Sequence, residues 1–191
     1  MRKVIVSIHV TLDGFISGPI GDLENLDWAF PGVEETMPDI EDFLRSVDIM
    51  LLGRIVYEGL ASYWPGQTGR FADWMNKTPK IVFSKTPKKV EWGKWDNISL
   101  IHENVVEEVK KLKQQEGGDM VIFGGANLVQ SFTNLGLIDE YRLIVDPVIL
   151  GSGKALLKNV EKRYNLRLLD TKRYKNGAVV LHYQLKNGQE G

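Results

Sequence analysis

Along this chain the spacing of apolar residues switches repeatedly between the two-residue period of a strand and the 3.6-residue period of a helix. Lys3 to Thr11, KVIVSIHVT, is rich in β-branched residues and predicts a buried strand. Glu34 to Val47, EETMPDIEDFLRSV, predicts a helix with Ile40, Phe43, Leu44 and Val47 on one face and acids opposite. The run DIMLLG predicts a strand stopped by Gly53, and RIVYEGLASYW a helix after it. KIVFSK and NISLIHE predict two further strands, and Val105, Val109 and Leu112 form the apolar stripe of another helix. Met120 to Phe123 predicts a strand that runs into Gly124-Gly125, with a helix from Ala126 to near Gly136. EYRLIVDPVIL reads as one long strand whose Pro147 suggests an edge or a bulge. Near the C-terminus, NLRLLDTKRY and AVVLHYQL flank Asn176-Gly177, the pattern of a tight hairpin. Such alternation implies crossover units and a mainly parallel α/β sheet with helices on both faces; the terminal hairpin adds antiparallel strands at one edge. Trp64, Trp74, Trp92 and Trp95 fall in the least regular stretch, as cover for a core edge or a subunit contact.

At 191 residues the expectation is a single domain over 1–191. A formal charge of −1 gives no electrostatic reason to expect nucleic acid or a membrane surface as partner. The absence of cysteine removes thiolate chemistry and cysteine-based metal sites. The three histidines, His9, His102 and His182, lack metal-ligand spacing, so no metal is expected. His9 alternates with apolar neighbours and reads as a satisfied core histidine. The apolar run at the start of the chain is too short for a signal peptide, and a cytoplasmic location is expected.

In open α/β sheets ligands gather at the carboxyl ends of the strands. Those ends carry Thr11-Leu12-Asp13-Gly14, Gly53-Arg54, Ser84-Lys85 and Gly124-Gly125-Ala126-Asn127. Glycine-bearing turns at helix starts, two cations and a hydroxyl make up what a polyanion would need. The glycines do not form G-x-G-x-x-G. Gly151-Ser152-Gly153-Lys154 also fails as a P-loop, because Val148 stands where its first glycine belongs and Ala155 replaces the Ser/Thr. It reads as a loop between strands.

The ordered segments VTLDGFI, LLGRIVYE, IVFSK, VIFGGANLVQSF and GLIDEYRLIVDPVILGSGKALL cover almost the whole chain. Together they resemble the dihydrofolate-reductase-like family, and within it the riboflavin-biosynthesis reductase (RibD C-terminal domain) branch in a short stand-alone form. The resemblance implies a three-layer fold around a mainly parallel sheet, NADPH as hydride donor, a small-molecule substrate and a homodimer. It implies that Gly53 and Arg54 meet the cofactor phosphates, and that Ser84 and Lys85 lie along the adenosine ribose. Gly124, Gly125, Ala126 and Asn127 would wrap the pyrophosphate. Leu12 and Gly14 would border the nicotinamide, and Asp13 would face the substrate. The nearest named activity is reduction of 5-amino-6-(5-phosphoribosylamino)uracil, with Arg142, Lys154 or Lys158 as cations for its phosphate. A pterin or folate reductase and a non-catalytic NADPH-binding module are the alternatives. Two departures stand out. Val56 occupies a position where the family often has threonine, and no carboxylate among Glu34, Glu35, Asp39, Glu41 and Asp42 is singled out by an apolar setting.

Overall fold

The computed structural model describes residues 1–18 and 27–186; within the first helix the side chains of Phe30, Pro31, Gly32 and Glu34 are outside the description. The strands are β1 (Val4–Thr11), β2 (Phe15–Ser17), β3 (Val47–Gly53), β4 (Lys80–Phe83), β5 (Ile98–Ile101), β6 (Asp119–Ile122), β7 (Glu140–Asp146), β8 (Lys154–Ala155), β9 (Leu166–Arg173) and β10 (Val179–Leu185). The helices are α1 (Phe30–Leu44), α2 (Arg54–Tyr63), α3 (Arg70–Lys77), α4 (Val105–Gln114) and α5 (Ala126–Asn134), with a 3-10 turn at Trp64–Gly66.

Eight strands form one sheet in the order β5-β4-β3-β6-β1-β7-β10-β9. The strands from β5 to β7 pair in parallel, and β10 pairs antiparallel with both β7 and β9. The two-residue period of β3 sorts its side chains between two cores: Leu51 faces one and Met50 and Leu52 the other. On the first face lie Val4, Val6, Met120 and Ile122, covered by Val109 of α4 and Leu128, Val129 and Phe132 of α5. On the second lie Val82, Val121 and Ile144, covered by Ile40 and Leu44 of α1, Val56 of α2 and Met75 of α3. The result is the three-layer arrangement expected of a dihydrofolate-reductase-like fold. Among the described residues no helix is long and apolar enough to cross a membrane.

Several local expectations need correction. Val47 does not extend α1: the helix ends at Leu44 and Val47 opens β3. The strand at Glu140 stops at Asp146, just before Pro147, and it is interior, lying between β1 and β10. Proline there ends a strand rather than marking an edge, because it has no amide to donate to the ladder. The terminal hairpin turns through three residues, Lys175, Asn176 and Gly177, with Tyr174 N–H donating to Ala178 O and Gly177 at φ 92°. A two-residue turn would have needed positive φ at Asn176 as well. Lys154 and Ala155 pair with β2 as a short strand, while Gly153 packs against the Ser17 carbonyl, where a β-carbon has no room.

The tryptophan region is also more ordered than its composition suggested. It contains α3, and Trp92 is fully buried. Trp64, Phe71, Trp74 and Phe123 form a chain of ring contacts with centroids 5.3, 6.2 and 6.0 Å apart.

Candidate active site

Because β6 inserts between β1 and β3, the carboxyl ends of these three strands lie side by side. Two cavities open there. The first, a cleft of about 320 Å³, is lined by the first turn of α2 from Gly53 to Val56, by Phe83, Ser84 and Lys85 after β4, and by Gly125, Asn127 and Leu128 of α5. Both α2 and α5 start on a glycine N-cap without a side-chain cap. The uncapped N–H groups and the positive ends of two helix dipoles therefore converge on one cleft. Gly125 sits at φ 86°, and a β-carbon there would meet Val56 Cγ2 at 3.0 Å. Gly124, at φ 101°, would place a β-carbon in ordinary contact with Ile8 Cδ1 at 3.9 Å, and it lines the neighbouring apolar chamber rather than this cleft. Ala126 is fully buried in the core and does not line the cleft.

The cations of the cleft are placed differently. Arg54 is half-exposed and its Nη1 reaches both carboxylate oxygens of Glu58 at 3.0 Å. Ser84 Oγ lies 3.1 Å from Thr86 Oγ1, which fixes the loop that carries the exposed Lys85. His102 also lines the cleft, a residue that the strand-end pattern did not single out. Its signal in the sequence is its position directly after β5, equivalent to that of Ser84 and Lys85 after β4.

Leu12, Asp13 and Gly14 stand apart and line neither cavity. They form a turn closed by Gly14 N–H to Thr11 O at 2.9 Å. The Asp13 carboxylate accepts from Thr11 Oγ1 at 2.6 Å, Gly151 N at 2.7 Å and Leu150 N at 3.2 Å, clasping the loop after β7. The Thr11 hydroxyl and these two amides favour its charged form and hold its pKa below the ordinary carboxylate value.

The second cavity, an apolar chamber of about 250 Å³, lies between the sheet and helices α1 and α2. Ser7, His9, Ile16, Trp28, Phe123 and Ile144 are among its walls, and it shares Val56 and Gly125 with the cleft. Val56, only 4% exposed, is thus a common partition, at the position where the family often carries a threonine. His9 is not the satisfied core histidine its pattern suggested. Its Nδ1 lies 2.8 Å from Asp146 Oδ2, but its Nε2 is buried with no hydrogen-bond partner among the described residues.

Four of the acids of α1 are engaged elsewhere, and the side chain of Glu34 lies outside the described residues. Glu35 accepts from the amides of Lys175 and Asn176 at 2.7 and 2.9 Å. Asp39 holds Tyr174 and Lys172, Glu41 reaches Arg70 at 3.2 Å, and Asp42 reaches Arg45 at 3.3 Å. Of the cations considered for a substrate phosphate, Arg142 is buried over the Phe43 ring, 5.2 Å from its centroid, Lys154 lies in β8 and Lys158 is exposed.

Residues 2–180 match the RibD C-terminal domain family. The chain is 36% identical over 189 residues to YyaP, an uncharacterised protein of Bacillus subtilis strain 168, covering 95% of this chain and 94% of that one. Its fold superposes with a TM-score of 0.79 on a protein from Shewanella sp. PV-4 assigned to riboflavin biosynthesis, at 24% identity over 97% of this chain and 100% of the other. It superposes with a TM-score of 0.64 on the riboflavin biosynthesis reductase Rib7 of Saccharomyces cerevisiae, at 16% identity over 97% of this chain and 90% of that one. The chain belongs to the RibD C-terminal domain family.

Proposed function

We propose that this protein is an NADPH-dependent reductase. The observation that carries the reading is the convergence of two uncapped helix N-termini on a cleft with Arg54, Ser84 and Lys85, adjoining an apolar chamber. This donor set fits a dinucleotide: amides at Gly53, Arg54, Gly125 and Asn127 for the pyrophosphate, with Ser84 and Lys85 for the 2′-phosphate and ribose. Bound there, the reduced nicotinamide supplies a hydride. The chain's own part is to orient the cofactor and to keep water out of the chamber.

The nearest named activity, reduction of 5-amino-6-(5-phosphoribosylamino)uracil, is the reference reaction. For it, the chamber would take the reacting carbon and the phosphate would lie outside. The pterin reading has less support, because the chamber's described lining contains no carboxylate. A homodimer is part of the proposal too: edge strand β9 exposes Leu166, Leu168 and Leu169 along an unpaired edge, and sedimentation tests it.

The test of cofactor binding is a titration with NADPH and NADH, followed by tryptophan quenching, since Trp28 lines the chamber. Tighter binding of NADPH, by about tenfold, is expected from one charge-assisted contact to the 2′-phosphate. Binding of neither would leave the glycines as turn residues only and sink the proposal.

A further inference from the structure

His9 and Asp146 come from neighbouring parallel strands, where Thr11 pairs with Asp146 and His9 with Ile144. Both side chains therefore emerge on the face of the sheet that bears the chamber. Asp146 is 1% exposed, and its Oδ1, like His9 Nε2 and Trp28 Nε1, is buried without a hydrogen-bond partner among the described residues. A buried polar atom left unpaired is destabilising unless something else uses it. A merely structural role would be to pin β1 to β7, but those strands are already paired from Ile5 to Thr11. The other charged groups on this face of β7 are committed. Glu140 holds Lys3 at 2.7 Å and His182 at 2.8 Å, and Arg142 donates to Ser7 Oγ at 3.4 Å. Asp146 is the carboxylate left to His9.

We propose that His9 is the proton donor of the reduction, that Asp146 is its positioning residue, and that Trp28 Nε1 helps to receive the substrate heteroatom. The inference rests on the reductase reading. It also specifies the kind of molecule that enters the chamber. Among its described lining residues there is no lysine, arginine, aspartate or glutamate, and Trp28 and Phe123 provide aromatic walls. The reacting part of the substrate is therefore uncharged and flat, with a C=O or C=N bond.

With NADPH held in the cleft, its hydride would form the new C–H bond as the C=O or C=N π bond breaks, the nicotinamide being oxidised and the substrate carbon reduced. The released electron pair on the heteroatom takes the proton from Nε2 of the imidazolium. Asp146, accepting from Nδ1–H, keeps that nitrogen protonated and so directs the transferable proton to Nε2. Solvent then reprotonates the neutral ring.

The experiment combines 15N-histidine NMR of the full chain with kinetics, using benzaldehyde and 2-cyclohexenone as uncharged probes. Without cofactor, either probe is expected to perturb the Nε2 resonance of His9 in the wild type. With NADPH, H9F and D146N are expected to lose about 100-fold in kcat, while the KM for the probe and the Kd for NADPH change by less than about twofold. The wild type is also expected to show a solvent isotope effect on kcat that H9F lacks. An unperturbed Nε2 overturns the proposal, and so does an H9F or D146N kcat within threefold of wild type. If H9F does not fold, the wild-type resonance and D146N decide. Failure of NADPH to bind would sink the reductase reading instead, a result the cofactor-free NMR arm keeps separate.

Discussion

The Cγ2 of Val56 lies 3.0 Å from the point that a β-carbon on Gly125 would occupy. One residue begins α5 and the other belongs to the first turn of α2, so this contact joins the two helix ends that form the cleft. Replacing Gly125 by alanine crowds Val56 and places a side chain at φ 86°. The G125A variant is expected to lose about 1–3 kcal/mol of stability and at least tenfold in NADPH affinity. Denaturant unfolding and fluorescence titration check the two effects. Unchanged NADPH affinity would remove Gly125 from the binding site.

Arg54 is held by Glu58, one helical turn away, with both side chains about half exposed. Such a pair contributes little to stability, within about 0.5 kcal/mol. R54A is therefore expected to leave the melting temperature nearly unchanged while weakening NADPH binding. E58Q, which frees the guanidinium, is expected to strengthen it. Equal affinities in the wild type and both variants would show that Arg54 does not meet the cofactor.

Asp13 offers a test by pH. Its folded-state pKa is lowered, chiefly by the Thr11 hydroxyl. Its stabilising contribution is thus present above the unfolded value and is lost as pH falls through the folded one. The wild type is expected to melt above D13N at neutral pH, and the gap is expected to close in acid. A gap that is independent of pH would mean that the clasp on Leu150 and Gly151 does not depend on the carboxylate charge.

Lys80 also raises stability with pH, but in alkaline solution and because a buried charge is shed. Its ammonium is buried, donates to Thr78 O at 2.5 Å and to Asn76 O at 3.3 Å, and lies 4.4 Å from the Trp92 ring centroid. Burial lowers its pKa from 10.5 to about 8. Between those values the unfolded chain binds more protons, so this residue's contribution to stability rises with pH. From pH 8 to 9.5 the wild type is expected to gain about 1.5 kcal/mol relative to K80M. Urea unfolding of both proteins at the two pH values measures it, and a constant difference would refute the buried charge.

The strands and helices were legible because each rests on a local period. Met50, Leu51 and Leu52 alternate between two cores, and Val109 marks the covered face of α4. The misreadings came where one residue had two local meanings. Val47 continues the helical stripe of α1 yet pairs with Asp119 as the start of β3, and strand pairing prevailed. Pro147 looked internal to a strand, but only the pairing of β7 with both β1 and β10 shows where the ladder stops. The short α3 lies in a tryptophan-rich stretch whose cover role hid its period.

Local chemistry along the chain specifies the alternation of elements and the glycines at the starts of α2 and α5, because backbone preference and apolar spacing act within a few residues. The assembled fold alone sets which strand ends stand together. It turned Asp13 to the loop at Leu150 and Gly151, made Val56 the partition between cleft and chamber, and joined His9 to Asp146 across 137 residues of chain. Such relationships depend on sheet order and register, which are set by the packing of all the elements at once and have no local signature in the chain.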